Sequence, residues 1–200
     1  MRHLSILLLL LVLLLVGCSA RFTTTEGGYL DEKTGKIYKP LSEAFEAISG
    51  GEVVGEWEST LYEDTLTFLE IPDADPNRFL ADERGNVYCS DEVRPDASGW
   101  HMDRIYVCDV GSLSMAAGGI TDAAVIDEIR TLWHEGEEAE LPYEDMVVSR
   151  RLKMTGPDCP GIYYCVLYYI YEDGTAYFYD RLENRAVLVG EDLMKKIPIN

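Results

Sequence analysis

Histidine is scarce in this 200-residue chain, and its scarcity restricts the catalytic mechanisms that the sequence can support. Of the three histidines, His3 lies at the extreme N-terminus, so His101 and His134 are the remaining imidazole bases. No G-x-S-x-G segment and no glycine-rich phosphate-binding loop occurs. A pair of carboxylates could hydrolyse glycosides, but among 36 acidic residues no particular pair stands out. The sequence therefore does not favour an enzyme.

Basic residues are also few, since 17 Lys and Arg face 36 Asp and Glu and give a formal net charge of −19. Such a charge disfavours binding to nucleic acid or to anionic lipid surfaces, because both are negative themselves. A metal ion, a polyamine or a basic protein is a compatible partner. A solvated acidic surface without a dedicated ligand is the simpler interpretation of the composition.

The segment "WHEGEE" lacks the second histidine that a helical zinc site needs. Two imidazoles share one helix face at a spacing of four residues, but the residue four positions after His134 is Glu138. A histidine in the last turn of a helix, close to the negative end of the helix dipole, explains the segment. We therefore expect His134 to be a helix-end residue without a metal or catalytic role.

The segment "DADPNRFLADER" begins like a calcium loop, with acidic or amide side chains at Asp73, Asp75 and Asn77. Its sixth position is Arg78 where a glycine should make the turn, and its twelfth is Arg84 where a glutamate should bind. A turn stabilised by Asp75 is the better interpretation. Because no C-x-x-C pair occurs either, we expect no metal and no cofactor.

A long hydrophobic run is present at the N-terminus, from Leu4 to Val16, after the positive charge of Arg2. It is shorter than the roughly 20 residues that span a bilayer and matches the hydrophobic region of a signal peptide. The run ends in "LVGC", with Gly17 and Cys18 at its last two positions. This pattern resembles the lipobox of bacterial lipoproteins.

The lipobox resemblance covers residues 1–20 and implies a location. It implies that a diacylglyceryl group modifies the thiol of Cys18 and that the signal peptide is cleaved between Gly17 and Cys18. The mature protein would then be lipid-anchored to the cell membrane or outer membrane, facing the extracytoplasmic side. By the same resemblance, Ser19 favours sorting to the outer membrane where the host has one.

The mature chain has the size of one domain. Cleavage removes residues 1–17, including one basic and no acidic residue, and leaves 183 residues with a formal charge of −20. Residues 18–28, rich in Thr, Gly and Ser, are typical of a flexible tether. We expect residues 29–200 to form a single domain.

Four cysteines follow Cys18, and an even number in an exported chain permits two disulfides. Buried thiols are the alternative. Cys89 and Cys108 lie on predicted strands joined by a turn-rich loop, so we favour a bridge between them. Cys159 and Cys165 are the second candidate pair.

The hydrophobic patterning predicts an α+β fold, in which an antiparallel sheet packs against one amphipathic helix. The helix spans Asp122–His134, with Thr121 as its N-cap and Gly136 as its stop. The last third of the chain predicts a four-stranded meander, with a tight turn at Asp173-Gly174. Earlier segments predict hairpins at 29–38 and around Arg84-Gly85-Asn86, strands within 52–58 and 60–71, and short helices at 42–48 and 191–196.

The tyrosines of "YYCVLYYIY" suggest a carbohydrate-stacking surface, although strand propensity and burial explain most of them. We expect a minority to project outward.

Together these features predict a membrane-anchored extracytoplasmic lipoprotein that acts as a non-catalytic binding or interaction module. The alternative is a lipid-anchored envelope hydrolase that uses acidic residues. An enzyme should have a cleft with converging polar groups, whereas a binding module should expose an aromatic or apolar patch.

Overall fold

The computed structural model describes residues 20–48, 50–59, 64–90, 95–110, 116–143 and 145–199. In these ranges the chain forms strands β1 (Ala20–Thr25), β2 (Gly28–Asp31), β3 (Ile37–Pro40), β4 (Phe45–Ala47), β5 (Val53–Glu58), β6 (Thr65–Glu70), β7 (Phe79–Asp82), β8 (Val87–Cys89), β9 (Arg104–Asp109), β10 (Ala116–Ile120), β11 (Met146–Thr155), β12 (Ile162–Tyr171), β13 (Ala176–Asp180) and β14 (Arg185–Val189). Helices α1 (Ala123–Glu135) and α2 (Glu191–Met194) and a 3-10 turn (Ala97–Gly99) complete the fold. Among the described residues, no helix has both the length and the apolar character needed to cross a bilayer.

Seven strands close into a barrel in the order β1-β2-β3-β8-β7-β6-β5. The closing pair is parallel, with Ala20 of β1 opposite Gly55 of β5. Alternation of apolar and polar residues along the strands directs one set of side chains inward. The barrel interior is filled by Phe22, Tyr38, Phe68, Leu80 and Tyr88.

The other strands form a second sheet in the order β10-β9-β11-β12-β13-β14, with β4 pairing beside β12. All its pairings are antiparallel. One face of this sheet packs against α1 and against the outer wall of the barrel. One hydrophobic core joins the three parts, and it includes Leu152 and Tyr164 of the sheet, Ile129 of α1, and Phe79 and Val87 of the barrel. The barrel and the second sheet are therefore packed together.

The predicted mainly antiparallel α+β architecture with one long helix is confirmed, including the four strands of the last third of the chain. The turns at Gly85 and Gly174 also lie where the sequence predicts them, and both glycines have a positive φ, of 82° and 83°. The prediction of a single open sheet is incomplete. The N-terminal strands close into a barrel instead, which the local hydrophobic pattern does not encode.

The predicted short helix at 42–48 is wrong, because residues Phe45–Ala47 form strand β4. This strand pairs with the start of β12, where Phe45 lies opposite Tyr164. The rings of Phe45 and Tyr164 pack edge to face, with centroids 5.1 Å apart. Tertiary packing on a long buried strand thus overrides the helical preference of the segment.

The tether predicted for residues 18–28 is also wrong within its described part. Residues Ala20–Thr25 form β1, which pairs with both β2 and β5. Phe22 is 1% exposed and stacks on Phe68 inside the barrel. Burial of this one large side chain, together with the β-branched threonines that follow it, makes a strand of the segment.

Candidate functional site

The predicted lipid-attachment residue, Cys18, and the preceding Gly17 lie outside the described residues. Lipidation and signal cleavage therefore stay predictions from the sequence. The described part of the chain offers three candidate sites: a cleft beside His134, the outer face of the second sheet, and one mouth of the barrel.

The cleft beside His134 has a volume of about 580 Å³. It lies between the end of α1, the turn that precedes the 3-10 helix, and the β13–β14 turn. Its polar lining consists of Asp96, Ser98, His134, Tyr164, Asp180, Glu183 and Arg185. This is the cleft with converging polar groups that an enzyme would need.

Asp180 is the central group of the cleft, and its carboxylate is fully occupied by the protein. Its Oδ2 accepts hydrogen bonds from Trp133 Nε1 at 2.8 Å and from the Tyr164 hydroxyl at 2.6 Å. Its Oδ1 accepts the backbone N–H groups of Leu182 at 2.8 Å and Glu183 at 3.2 Å. Burial and the bond to Asp180 raise the pKa of Tyr164 far above its usual range. Four donors leave this carboxylate no free lone pair with which to act as a base.

Arg185 is likewise committed to the fold. Its guanidinium donates to the backbone carbonyls of Trp133, at 2.5 Å, and of Gly136. These carbonyls belong to the end of α1, where the last turn leaves backbone acceptors without helical partners. Arg185 therefore joins β14 to the end of α1.

His134 is half-buried and lines the cleft. Burial lowers the pKa of its imidazole, while the nearby carboxylate of Asp96 opposes that effect. Its Nε2 is enclosed and has no hydrogen-bond partner among the described residues. The neighbouring Trp133 and Ile129 are buried, at 5% and 0% exposure, as the amphipathic pattern predicts.

The fold does not bring His101 and His134 together. His101 is absent from the lining of the cleft, and its backbone N–H donates to Asp158 at 2.7 Å. At the predicted calcium-like segment, Asp75 accepts the backbone N–H of Asn77 at 2.9 Å, as expected for an Asx turn. No group of histidine, cysteine and acidic residues in the described ranges has a metal-binding arrangement.

The predicted disulfides Cys89–Cys108 and Cys159–Cys165 are not formed; none of these four residues is part of a disulfide. The second sheet separates the members of each pair. Cys89 and Cys159 face the hydrophobic core. Cys108 and Cys165 face the opposite side, near Lys153 and Glu46. Burial raises the pKa of the Cys159 thiol to about 11 and raises those of Cys108 and Cys165 as well.

The outer face of the second sheet carries a group of tyrosines, which we call the tyrosine face. It consists of Tyr106 on β9, Tyr163, Tyr169 and Tyr171 on β12, and Tyr177 and Tyr179 on β13. The rings contact one another in pairs, since Tyr169 stacks on Tyr179 with centroids 6.2 Å apart and Tyr171 meets Tyr177 edge to face at 5.6 Å. Leu188 lies opposite Tyr177 on β14 and is 52% exposed.

The strand alternation explains which tyrosines reach this face. Tyr164 and Tyr168 of "YYCVLYYIY" point into the core and are almost fully buried. The odd-numbered Tyr163, Tyr169 and Tyr171 point the other way, as the two-residue period of a strand requires. Three of the five tyrosines in the segment are thus on the outer face, rather than the predicted minority, although Tyr171 is itself buried beneath its neighbours.

An ion cluster lies on the same side of the sheet, next to the tyrosines. Glu46 of β4 pairs with Arg151 and, at 2.7 Å, with Nζ of Lys153. Both basic residues belong to β11, and Lys153 lies directly opposite Cys165. Arg104, on the neighbouring strand β9, donates to the hydroxyl of Tyr106 at 3.2 Å. The face therefore combines aromatic rings with basic side chains in a strongly acidic protein.

The sequence missed Asp180 and Glu46 because a single acidic residue among 36 gives no signal of its environment. The sequence does contain the alternation that separates the tyrosines of β12.

Comparison of the chain with protein-family models, with curated proteins and with solved structures gives no match.

Proposed function

We propose that this protein is a lipid-anchored extracytoplasmic binding module without catalytic activity, and that the tyrosine face is its recognition surface. The observation that carries the proposal is the paired arrangement of half-buried tyrosines on the outer side of the second sheet. The lipobox resemblance at Cys18 supports the location. The proposed partner is another protein of the cell envelope.

The composition of the tyrosine face supports recognition of a protein. Tyrosine and arginine are enriched in protein–protein interfaces, because they give large contact area together with hydrogen-bonding groups. Tyrosine also has few rotatable bonds, so fixing its ring on binding costs little conformational entropy. Ring pairs such as Tyr169–Tyr179 already hold their partners in place before binding. Leu188 extends the face with an exposed apolar side chain.

The charge of the face supports an acidic partner. Arg104 is exposed on this face, whereas Arg151 and Lys153 lie largely buried beneath it and pair with Glu46. Opposite charges across an interface raise the association rate and select against wrong partners. A partner with an acidic surface would therefore approach this side, while the net charge of the rest of the protein would repel it.

The rival proposal, an envelope hydrolase, has weaker support. A hydrolase of this kind needs a carboxylate that is free to protonate a leaving group or to activate water. In the cleft beside His134, Asp180 accepts four hydrogen bonds from the protein. Asp96 is exposed and accepts the backbone N–H of Ser98 at 2.9 Å, as the N-cap of the 3-10 helix. The carboxylates of Asp180 and Asp96 are thus both engaged in hydrogen bonds that stabilise the fold.

Site-specific photocrosslinking in intact cells tests the proposal. A photoreactive residue would replace Leu188 on the tyrosine face in the full-length protein. The matched control replaces Val53 on barrel strand β5, which is 55% exposed against 52% for Leu188. We expect discrete protein adducts from position 188 and none of the same size from position 53.

A second change tests whether the rings are responsible. Tyr177 lies opposite Leu188, so Tyr177→Ser should remove the adducts from position 188 while the protein stays folded. His134→Gln, in the cleft, should leave them unchanged. Equal adducts from positions 188 and 53, or adducts that are insensitive to Tyr177→Ser, would contradict the proposal. Loss of envelope-polymer hydrolysis in His134→Gln would favour the enzyme instead.

A further inference from the structure

One mouth of the barrel encloses a second, smaller cavity of about 260 Å³. The aromatic side chains that line it are Tyr29 of β2, Trp57 of β5 and Tyr88 of β8. Tyr29 meets both of the others nearly at right angles, with centroids 5.5 Å from Trp57 at 70° and 5.8 Å from Tyr88 at 77°. The three rings therefore form adjacent walls of the cavity and not a flat stack.

Two of these three rings are held in place by hydrogen bonds. Trp57 Nε1 donates to Thr24 Oγ1 at 2.7 Å, which fixes the indole against β1. The hydroxyl of Tyr88 donates to Asp82 Oδ2 at 3.2 Å. Because the walls are positioned without a ligand, binding here would cost little side-chain ordering.

A buried carboxylate lines the cavity. Asp82 is 2% exposed and accepts hydrogen bonds from the backbone N–H groups of Arg84 and Asn86, both at 2.9 Å, and from Asn86 Nδ2 at 2.6 Å. These bonds fix the β7–β8 turn. No described Lys, Arg or His forms an ion pair with Asp82, so its negative charge is balanced by hydrogen-bond donors alone.

The rim of the cavity adds to this charge. Asp64 and Glu83 line it together with Asp82, against the single basic side chain of Arg84. Burial raises the pKa of Tyr29, and the nearby charges of Asp82 and Asp64 raise it further. An anionic ligand would be repelled from such a site. A cation would be attracted both by the carboxylates and by the electron-rich faces of the rings.

We propose that this barrel mouth binds a small organic cation, with an alkylated ammonium group seated against Tyr29, Trp57 and Tyr88 and close to the carboxylates that line the cavity. Alkylation favours the site because methyl groups contact the ring faces while the charge spreads over them. A metal ion requires several oxygen ligands, and a bare ammonium requires hydrogen-bond acceptors, which the rings do not supply. The site is separate from the tyrosine face and does not depend on the function proposed for it.

The test is titration of the purified protein with tetramethylammonium chloride and choline chloride, followed by calorimetry and tryptophan fluorescence. Trp57 is half-buried at the cavity, whereas Trp100 and Trp133 are buried elsewhere. The neutral isostere of choline, 3,3-dimethylbutanol, has the same shape without the charge. We expect saturable binding of both cations and affinity for the neutral alcohol that is lower by about tenfold or more.

Variants separate the contributions to binding. Trp57→Leu should weaken choline binding by roughly tenfold or more, and Trp57→Phe should restore part of it because a ring face remains. Asp64→Asn should weaken choline binding and leave 3,3-dimethylbutanol unaffected. Tyr177→Leu on the tyrosine face is the matched control and should change neither. Equal affinity for choline and the alcohol, absence of saturable binding by either cation, or full binding by Trp57→Leu would overturn the proposal.

Discussion

Asp180 connects the last turn of helix α1 to the second sheet through one buried carboxylate. Its four donors come from three parts of the chain: the end of α1, strand β12 and the β13–β14 turn. A buried charge is stable only when such donors replace the water it has lost. We therefore assign the polar groups at the base of the cleft to the stability of this corner.

Replacement of Trp133 tests this assignment. The indole is 5% exposed, packs on Tyr164 with centroids 4.9 Å apart, and donates to Asp180. Trp133→Ala should lower the free energy of unfolding by about 3–5 kcal/mol, because it leaves a cavity and removes a donor from a buried carboxylate. Urea denaturation followed by circular dichroism measures the loss.

The adjacent His134 supplies the control. His134→Gln changes a half-buried side chain at the same helix end and should cost less than about 2 kcal/mol. Losses of equal size in Trp133→Ala and His134→Gln would show that the end of α1 does not depend on the indole.

The lowered pKa of His134 predicts the pH dependence of stability. Burial disfavours its protonated form, so as the pH falls below about 6.5 the unfolded chain takes up this proton before the folded protein does. The free energy of unfolding should therefore decrease with falling pH between the ordinary and the lowered pKa. His134→Gln should reduce this slope between pH 5 and 7, measured by urea denaturation at each pH. A slope that is unchanged or steeper in the variant would contradict the lowered pKa.

At the scale of elements, helix α1 begins one residue later than the sequence predicts. The predicted cap was Thr121, but the N-cap is Asp122, whose carboxylate accepts the backbone N–H of Ala124 at 2.9 Å. Both residues are exposed and both are good caps, so the sequence alone does not choose between them. The end of the helix, at Gly136, lies where the sequence predicts it.

The two adjacent residues make a matched test of the cap. Asp122→Ala should lower the free energy of unfolding by about 1 kcal/mol, because it removes the acceptor for a backbone N–H of the first turn. Thr121→Ala should leave stability within about 0.5 kcal/mol of the original protein, as for most surface substitutions. Thermal and urea denaturation of both variants measure the difference. A larger loss in Thr121→Ala would place the cap where the sequence first suggested.

Local patterns predicted those elements whose signal is contained in a few neighbouring residues. The turns at Gly85 and Gly174 and the buried strand β12 are of this kind. Strand β4 was missed because its conformation depends on pairing with β12, more than a hundred residues later in the chain. The barrel was missed for the same reason, since its closure joins β1 to β5 in a parallel pair of only two registered positions.

The candidate sites also divide into features with a local sequence signal and features that distant strands assemble. The alternation of tyrosines along β12 was readable from the sequence, but the rings that complete the tyrosine face come from β9 and β13. The barrel mouth assembles Tyr29, Trp57, Asp82 and Tyr88 from four strands. A constellation built by distant strands leaves no spacing in the sequence that could reveal it.

At the scale of the whole molecule, the position of β1 determines how a lipid anchor would orient the domain. The strand begins at Ala20, so one residue, Ser19, separates it from the predicted lipidated Cys18. Two peptide units extend at most about 7 Å, which would hold this end of β1 close to the bilayer. The barrel mouth lies near the other end of the strand, where Thr24 accepts the hydrogen bond from Trp57. In this orientation the mouth would open away from the membrane.

Replacement of Cys18 tests the anchor on which this orientation depends. Two or three acyl chains, at about 0.8 kcal/mol for each buried CH₂ group, would make membrane attachment effectively permanent. Cys18→Ala should therefore release the protein from the membrane fraction or leave it unprocessed, as measured by cell fractionation and intact mass. Cys108→Ala removes a buried thiol from the second sheet and should leave both attachment and processing unchanged. Membrane attachment that survives Cys18→Ala, together with an unmodified Cys18 thiol in the native protein, would exclude the lipid anchor and the orientation that follows from it.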